Sequence, residues 1–207
     1  MRTLSILILT LALTAPALAG DPVSKDELKD HLTEYPDPAA FAATLDGTLA
    51  TRPFSRSGTR VKGGLAVGVV DAPLERVLKV VRDYEEYKSL MKFFTKSLVL
   101  GEGGNRTRVH LTISIARGTI KLWANVSFVE SSEDTVSVVA AEMEEGNMKR
   151  LDARWELFPL DDTHTLVMMR LLVDPDLQVA SDAKATELNQ VNARRAIRSV
   201  RKRVKNY

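Results

Sequence analysis

The chain has 207 residues, 44% of them hydrophobic, with 29 Lys and Arg against 27 Asp and Glu and no cysteine. So close a charge balance argues against a general nucleic-acid binder, which carries a basic excess across one face. The lack of cysteine excludes both a disulfide framework and a lipid-modified cysteine. The length suits one ordinary domain with a substantial core and a short extension.

The first residues read as a secretory signal. Arg2 supplies the positive start, Leu4 to Leu13 an almost unbroken apolar run, and Ala17-Leu18-Ala19 a small-x-small cleavage site before Gly20. The run is shorter than the ~20 apolar residues of a bilayer crossing. Residues 1–19 are therefore expected to be removed, which makes the protein periplasmic or secreted. An acidic-leaning extension follows over 20–46: Ser24 and Glu27 have the spacing of a capping box, Pro36 stops that helix, and a turn from Asp37-Pro38 carries Phe41 and Leu45.

Residues 47–207 form the expected domain. Thr48 to Arg56 has no decisive pattern and is compatible with an extended lead-in. Val61 to Val70 predicts a strand, interrupted by Gly63, Gly64 and Gly68, where something packs close. Asp71 is the expected cap of a helix with Pro73 in its first turn, and Leu74, Val77, Leu78 and Val81 recur at helical spacing to about Tyr84. Tyr87 to Phe94 is a second turn or loop. After a Gly-rich turn at 101–105, alternation predicts strands. Val109, Leu111 and Ile113 share one face, Leu122, Ala124, Val126 and Phe128 another, then Val136, Val138 and Ala140, and then Leu151, Ala153, Trp155 and Leu157. Thr165 to Val173 is apolar on both faces except at Arg170, so its outer side is expected to be partly covered. Beyond Ser181 a helix carries Leu188, Val191, Ala193, Ala196, Ile197, Val200 and Val204 to the end of the chain.

A single antiparallel sheet with one apolar face must bury it, and the last helix is the large element left to cover it. The resulting expectation is an α+β helix-grip fold, a curved antiparallel sheet around a long C-terminal helix, with an apolar cavity wherever the helix leaves space.

These residues resemble the START-like helix-grip proteins of the SRPBCC superfamily, in the branch known as polyketide cyclase or coenzyme Q-binding. The likeness spans roughly Gly47 to Val204. It is carried by Asp71-Ala72-Pro73 with Val77, Asp83-Tyr84 with Tyr87, Ser97, Gly146-Asn147, Trp155 with Leu157 and Pro159, and Asp174-Pro175. The chain departs from the pattern at Ala153, where a glycine usually stands two residues before the tryptophan, and in lacking a proline after Pro175. The resemblance implies a hydrophobic ligand such as a lipid, quinone or isoprenoid.

Few residues suggest covalent chemistry. His31, His110 and His164 lie far apart, with His110 and His164 expected on the outer faces of strands, and no spacing suits a helical metal site. Carboxylate pairs such as Glu85-Glu86, Glu144-Glu145 and Asp161-Asp162 are adjacent in sequence and do not converge on one point. The glycines at 101–104 lack the lysine and helix of a phosphate loop, and no G-x-S-x-G elbow is present. No catalytic residue, metal or cofactor is expected.

Two features remain. Large adaptable side chains, including Met91, Phe93, Phe94, Met143, Met148, Trp155 and Met169, suit a pocket for ligands of variable shape, although a core needs such residues as well. The expected ligand-binding set is Tyr84, Met91, Phe94, Ile113, Leu122, Val126, Val138, Met148, Trp155, Met169 and Asn192, with Arg154, Arg170 and Asn147 as further polar anchors. The other feature is the basic face formed by Arg194, Arg195, Arg198, Arg201, Lys202, Arg203 and Lys205, either the solvated side of a helix or a contact for an anionic membrane. The reading is an exported, non-catalytic carrier of a hydrophobic small molecule or lipid, without nucleic acid; its oligomeric state is not fixed by the sequence, a monomer being favoured. The alternatives are a cyclase or aromatase that folds a flexible polyketide, and an envelope partner-binding module with a closed pocket.

Overall fold

Runs rich in Val, Ile, Leu and Thr become eight strands: β1 (Ala50–Phe54), β2 (Gly63–Val70), β3 (Phe94–Gly103), β4 (Arg106–Ile115), β5 (Ile120–Glu133), β6 (Val136–Gly146), β7 (Arg150–Pro159) and β8 (Thr165–Asp174). The computed structural model describes Thr44 and residues 47–115, 118–133, 135–175 and 181–207. The expected signal, most of the extension and His31 lie outside the described residues. All eight strands join one antiparallel sheet in the order β1-β2-β8-β7-β6-β5-β4-β3. After β2 the chain passes through helices to the far edge and meanders back until β8 closes against β2. The segment without a decisive sequence pattern thus supplies an edge strand, β1.

Between β2 and β3 lie α1 (Leu74–Val81), a 3-10 turn (Tyr84–Glu86) and α2 (Tyr87–Leu90); α3 (Asp182–Arg203) follows the sheet. Asp71 does not cap α1. Pro73 occupies the N-cap position, and its carbonyl accepts from the amides of Arg76 and Val77 at 3.0 and 3.2 Å. The helix ends at Val81, before Tyr84. Ser181 does cap α3, its hydroxyl accepting from the Lys184 amide at 3.2 Å.

The buried face of α3, with Ala193, Ala196, Ile197 and Val200, lies on the inner face of the sheet. Small residues let the two approach. A Cβ on Gly64 would stand 2.4 Å from the main chain of Asn189 and Gln190, so only glycine fits beneath this turn of the helix. Asn189 ties the crossing together: its Oδ1 accepts from the Val173 amide at 3.1 Å, and its Nδ2 donates to the carbonyls of Lys62 and Val173 at 3.1 and 3.2 Å. A buried amide side chain thereby satisfies main-chain groups where strands end.

Expected inner faces hold on β4, β5 and β7, whose alternating residues all join the main core cluster. On β6 the phase is reversed. Val139 and Ala141 face inward, while Val136 and Val138 join a second cluster on the outer face with Leu65, Val67, Phe158, Leu166 and Met168. The Val138-Val139 and Ala140-Ala141 pairs permit either phase. A one-residue register shift between the Asn125–Glu145 and Val126–Met143 pairs leaves Glu144 as the extra residue and fixes which phase is used. This second cluster accounts for the two-sided apolarity of β8, since Leu166 and Met168 are buried on its outer side.

Candidate functional site

Aromatic rings occupy the centre of the grip. Tyr84 and Tyr87, from the turn and α2, meet Phe128 of β5 at ring-centroid distances of 4.5 and 5.0 Å. Trp155 of β7 donates from Nε1 to the Tyr87 hydroxyl at 3.1 Å, and that hydroxyl donates to the Val81 carbonyl at 2.9 Å. The Tyr84 hydroxyl donates to Glu130 Oε1 at 2.9 Å, and Arg82 pairs with the same carboxylate at 2.7 Å. The Ser97 hydroxyl donates to the Tyr84 carbonyl, fixing the turn against β3.

Burial pushes both phenols upward; for Tyr84 the Glu130 carboxylate adds to the effect, and for Tyr87 the neighbouring Tyr84 does so. A folded pKa raised above the ordinary value of 10.0 contributes stability that is present below pH 10 and lost as the pH rises above it, where the unfolded phenols ionise. Urea midpoints are therefore expected to fall steeply above pH 10. In Y84F and Y87F that slope should be shallower.

With the centre occupied, a small apolar cleft lies where the N-terminal half of α3 crosses the start of β3, the ends of β4 and β8 and the start of β5. It is lined by Phe93, Phe94, Ile113, Ile115, Leu122, Val173, Pro175, Ala185, Leu188, Asn189 and Asn192, and encloses about 50 Å3. On this measure one water needs about 10–15 Å3, so this is room for a few waters and not for a lipid. The hollow expected from the sequence is thus nearly closed, because Tyr84, Tyr87, Phe128 and Trp155 fill it.

Of the residues expected to bind a ligand, Phe94, Ile113, Leu122 and Asn192 line the cleft. Tyr84, Met91, Val126, Met148, Trp155 and Met169 lie in the same core cluster but away from the cleft wall, and Val138 is on the other face of the sheet. Ile115, Val173, Pro175, Ala185, Leu188 and Asn189 are additional lining residues that sequence reasoning missed. They come together only where α3 crosses the sheet, and no local spacing marks them.

The expected polar anchors have other tasks. Asn192 Oδ1 accepts from the Lys92 amide at 2.9 Å. Asn147 pins the β6–β7 hairpin to β5, accepting from the Trp123 amide at 2.7 Å and donating to the Lys121 carbonyl at 3.1 Å. Arg154 and Arg170 face outward, both toward Glu156, at 2.5 and 3.6 Å. Together with Arg52, Arg56, Glu142 and Asp152 they line an outer groove of about 640 Å3. Its paired charges, including Arg56–Asp152 at 3.9 Å, mark a solvated surface.

His110 lies on the outer face, bonded to Asn125 at 2.8 Å and stacked on Trp123. His164 is in the β7–β8 turn and not on a strand. There it bonds to Asp161, whose carboxyl is lowered to about 2 mainly by the Thr163 hydroxyl and amide. Among the described residues no three His, Asp or Glu converge to hold a metal.

The basic face is divided. Arg201 turns back to the carbonyls of Val69 and Gly47 at 2.7 and 2.8 Å, and Arg203 pairs with Asp83 at 2.6 Å. Arg194, Arg195, Arg198, Lys202 and Lys205 are exposed. The first four line an open groove of about 710 Å3 with Lys92 and Arg203, next to the cleft.

The helix-grip architecture recurs in solved structures. A STAR-related lipid transfer protein from Xanthomonas axonopodis is 16% identical, covering 76% of this chain and 93% of that one at a TM-score of 0.63. A START superfamily protein from Mycobacterium smegmatis is 16% identical, covering 77% and 99% at 0.57. Human StAR-related lipid transfer protein 5 is 12% identical, covering 86% and 93% at 0.64. At such identities the likeness is one of fold. No curated protein matches the chain in sequence. Residues 70–197 match the family described as polyketide cyclase / dehydrase and lipid transport. With the sheet, the gripped helix and this match in place, the chain belongs to that START-like family, whose domains take hydrophobic ligands.

Proposed function

We propose that this domain binds an apolar molecule, such as a lipid, quinone or isoprenoid, and carries it without covalent chemistry. The observation that supports this reading is the apolar cleft beneath α3, whose two polar side chains, Asn189 and Asn192, are engaged by main-chain groups. A cyclase would need polar groups projecting inward along a folded polyketide. The inner-face hydroxyls of Tyr84 and Tyr87 are instead committed to Glu130 and Val81. The closed cleft does not hold such a molecule, so binding requires it to widen; a ligand tail that then buries about 400 Å2 would gain about 10 kcal/mol at about 25 cal/mol per Å2, enough to offset much of the association cost without a charged contact.

The N-terminal signal pattern supports export, so the mature chain is expected to start at Gly20, which the intact mass of protein from its own host would show. The exposed cations Arg194, Arg195, Arg198 and Lys202 beside the cleft support docking on an anionic membrane during transfer, each contributing about 1 kcal/mol near the surface. Pelleting with phosphatidylglycerol vesicles is expected to weaken with salt and to be lost when all four become glutamine. Pelleting that is unchanged in that variant removes the membrane contact.

Native mass spectrometry and organic extraction of protein from the host envelope test the carrier itself. A reproducible apolar passenger is expected, whereas turnover of a supplied polyketide substrate would replace carriage by catalysis. Leu188→Trp, which fills the cleft from a half-buried helix position, should weaken binding of a fluorescent fatty acid by about tenfold or more, or about 1.4 kcal/mol, with little change in Tm.

A further inference from the structure

The cleft is too small for the ligand class proposed above, and one residue at its wall has an unfavourable backbone. Phe93, in the short loop between α2 and β3, has φ of 74°, the one positive value at a non-glycine position among the described residues. An aromatic residue in the left-handed region is a true outlier, and such a conformation persists only where its surroundings over-determine it. Here two hydrogen bonds hold it. The Phe93 carbonyl accepts from the Ser114 amide of β4 at 2.8 Å, and the preceding amide, of Lys92, donates to Asn192 Oδ1 on α3 at 2.9 Å. The half-buried ring lies against the cleft, under the Lys92 ammonium at 4.8 Å from its centroid.

We propose that Phe93 is a strained gate latched by Asn192, and that the cleft admits its ligand when Phe93 leaves the left-handed region. Rotation to a negative φ breaks both hydrogen bonds and swings the ring away from Phe94 and Ile115. Water replaces the lost bonds while the backbone strain is released, so the two opposing effects keep the closed and open forms close in free energy. The identification of what passes the gate rests on the binding reading above; the gate itself does not.

Amide hydrogen exchange on the full chain tests the opening without any ligand. The Lys92 and Ser114 amides are expected to exchange through a local opening, well before the amides of β7. F93A and F93G both lose the ring, but alanine keeps the strain and glycine removes it, so both amides should exchange about tenfold faster in F93A than in F93G. Asn192→Ala should accelerate Ser114 without accelerating β7. If both amides exchange only with global unfolding, or if F93A and F93G exchange alike, the gate is overturned.

Stopped-flow binding of cis-parinaric acid adds the functional arm. In the wild type the observed rate should level off with probe concentration, limited by opening, and that ceiling should rise about tenfold in Asn192→Ala and in F93A. If no chain binds the probe although exchange shows the local opening, the gate stands and the carrier reading falls. If all chains bind at one rate and both amides follow global unfolding, the gate falls and the carrier reading stands.

Discussion

Trp155→Ala is expected to cost about 4 kcal/mol in urea unfolding, within the range for removing a buried tryptophan. Trp155 is fully buried in the middle of β7 and packs inside the cluster that includes Tyr87, Leu90 and Phe128. Two losses combine. The ring leaves a cavity that its β-strand neighbours cannot collapse into, since they are held by the β6 and β8 ladders. The Tyr87 hydroxyl also loses the indole donor at 3.1 Å. Trp155→Phe should separate the two, restoring most of the volume but not the donor, at a cost of about 1–2 kcal/mol. Because an apolar internal cavity stays dry and accepts apolar guests, added indole should raise the Tm of Trp155→Ala and leave that of the wild type unchanged. A Trp155→Ala chain as stable as wild type would mean that the centre is not packed as described.

Gly64→Val is expected to have the other large effect, preventing α3 from docking. The side chain would meet helix main chain at 2.4 Å, and main chain cannot swing aside as a flexible side chain can. Lifting the helix would pull Asn189 from the three hydrogen bonds that tie it to Lys62 and Val173. It would also uncover Ala193, Ala196 and Ile197. Even Gly64→Ala should cost about 3 kcal/mol or more, at the upper end for overpacking. Gly68→Ala is the internal comparison: its nearest obstacle is the tip of the Leu49 side chain, which can rotate away, so the loss should be smaller. Gly103→Ala, with nothing within 4 Å, should be close to neutral. Equal losses at positions 64 and 103 would contradict the close helix–sheet approach.

Much of this fold was legible in the chain before any coordinates. The alternation on β4, β5 and β7 placed Ile113, Leu122 and Trp155 on the covered side, and the periodicity after Ser181 located the gripped helix. Reading failed where the pattern was degenerate. Val138-Val139-Ala140-Ala141 is apolar in both phases, so the extra residue at Glu144 had to decide, and Val138 went to the other face. Arg201 and Arg203 looked like their exposed neighbours on the same helix, yet the former reaches main-chain carbonyls and the latter Asp83. Helical spacing alone cannot show which stem finds an acceptor on a distant segment.

The candidate site was legible only in part for a related reason. Its wall joins residues from β3, β4, β5, β8 and α3, and Leu188 and Val173 become neighbours only through the tilt of the helix across the sheet. By itself the sequence determined most of the elements, apart from the edge strands β1 and β3, together with their order and most of their apolar sides, because those depend on periodicity along a few consecutive residues. Tertiary structure decided how much space is left between them. That volume is a small difference between the separation of helix and sheet, set at Gly64, and the summed sizes of Tyr84, Tyr87, Phe128 and Trp155, which meet from three separate parts of the chain.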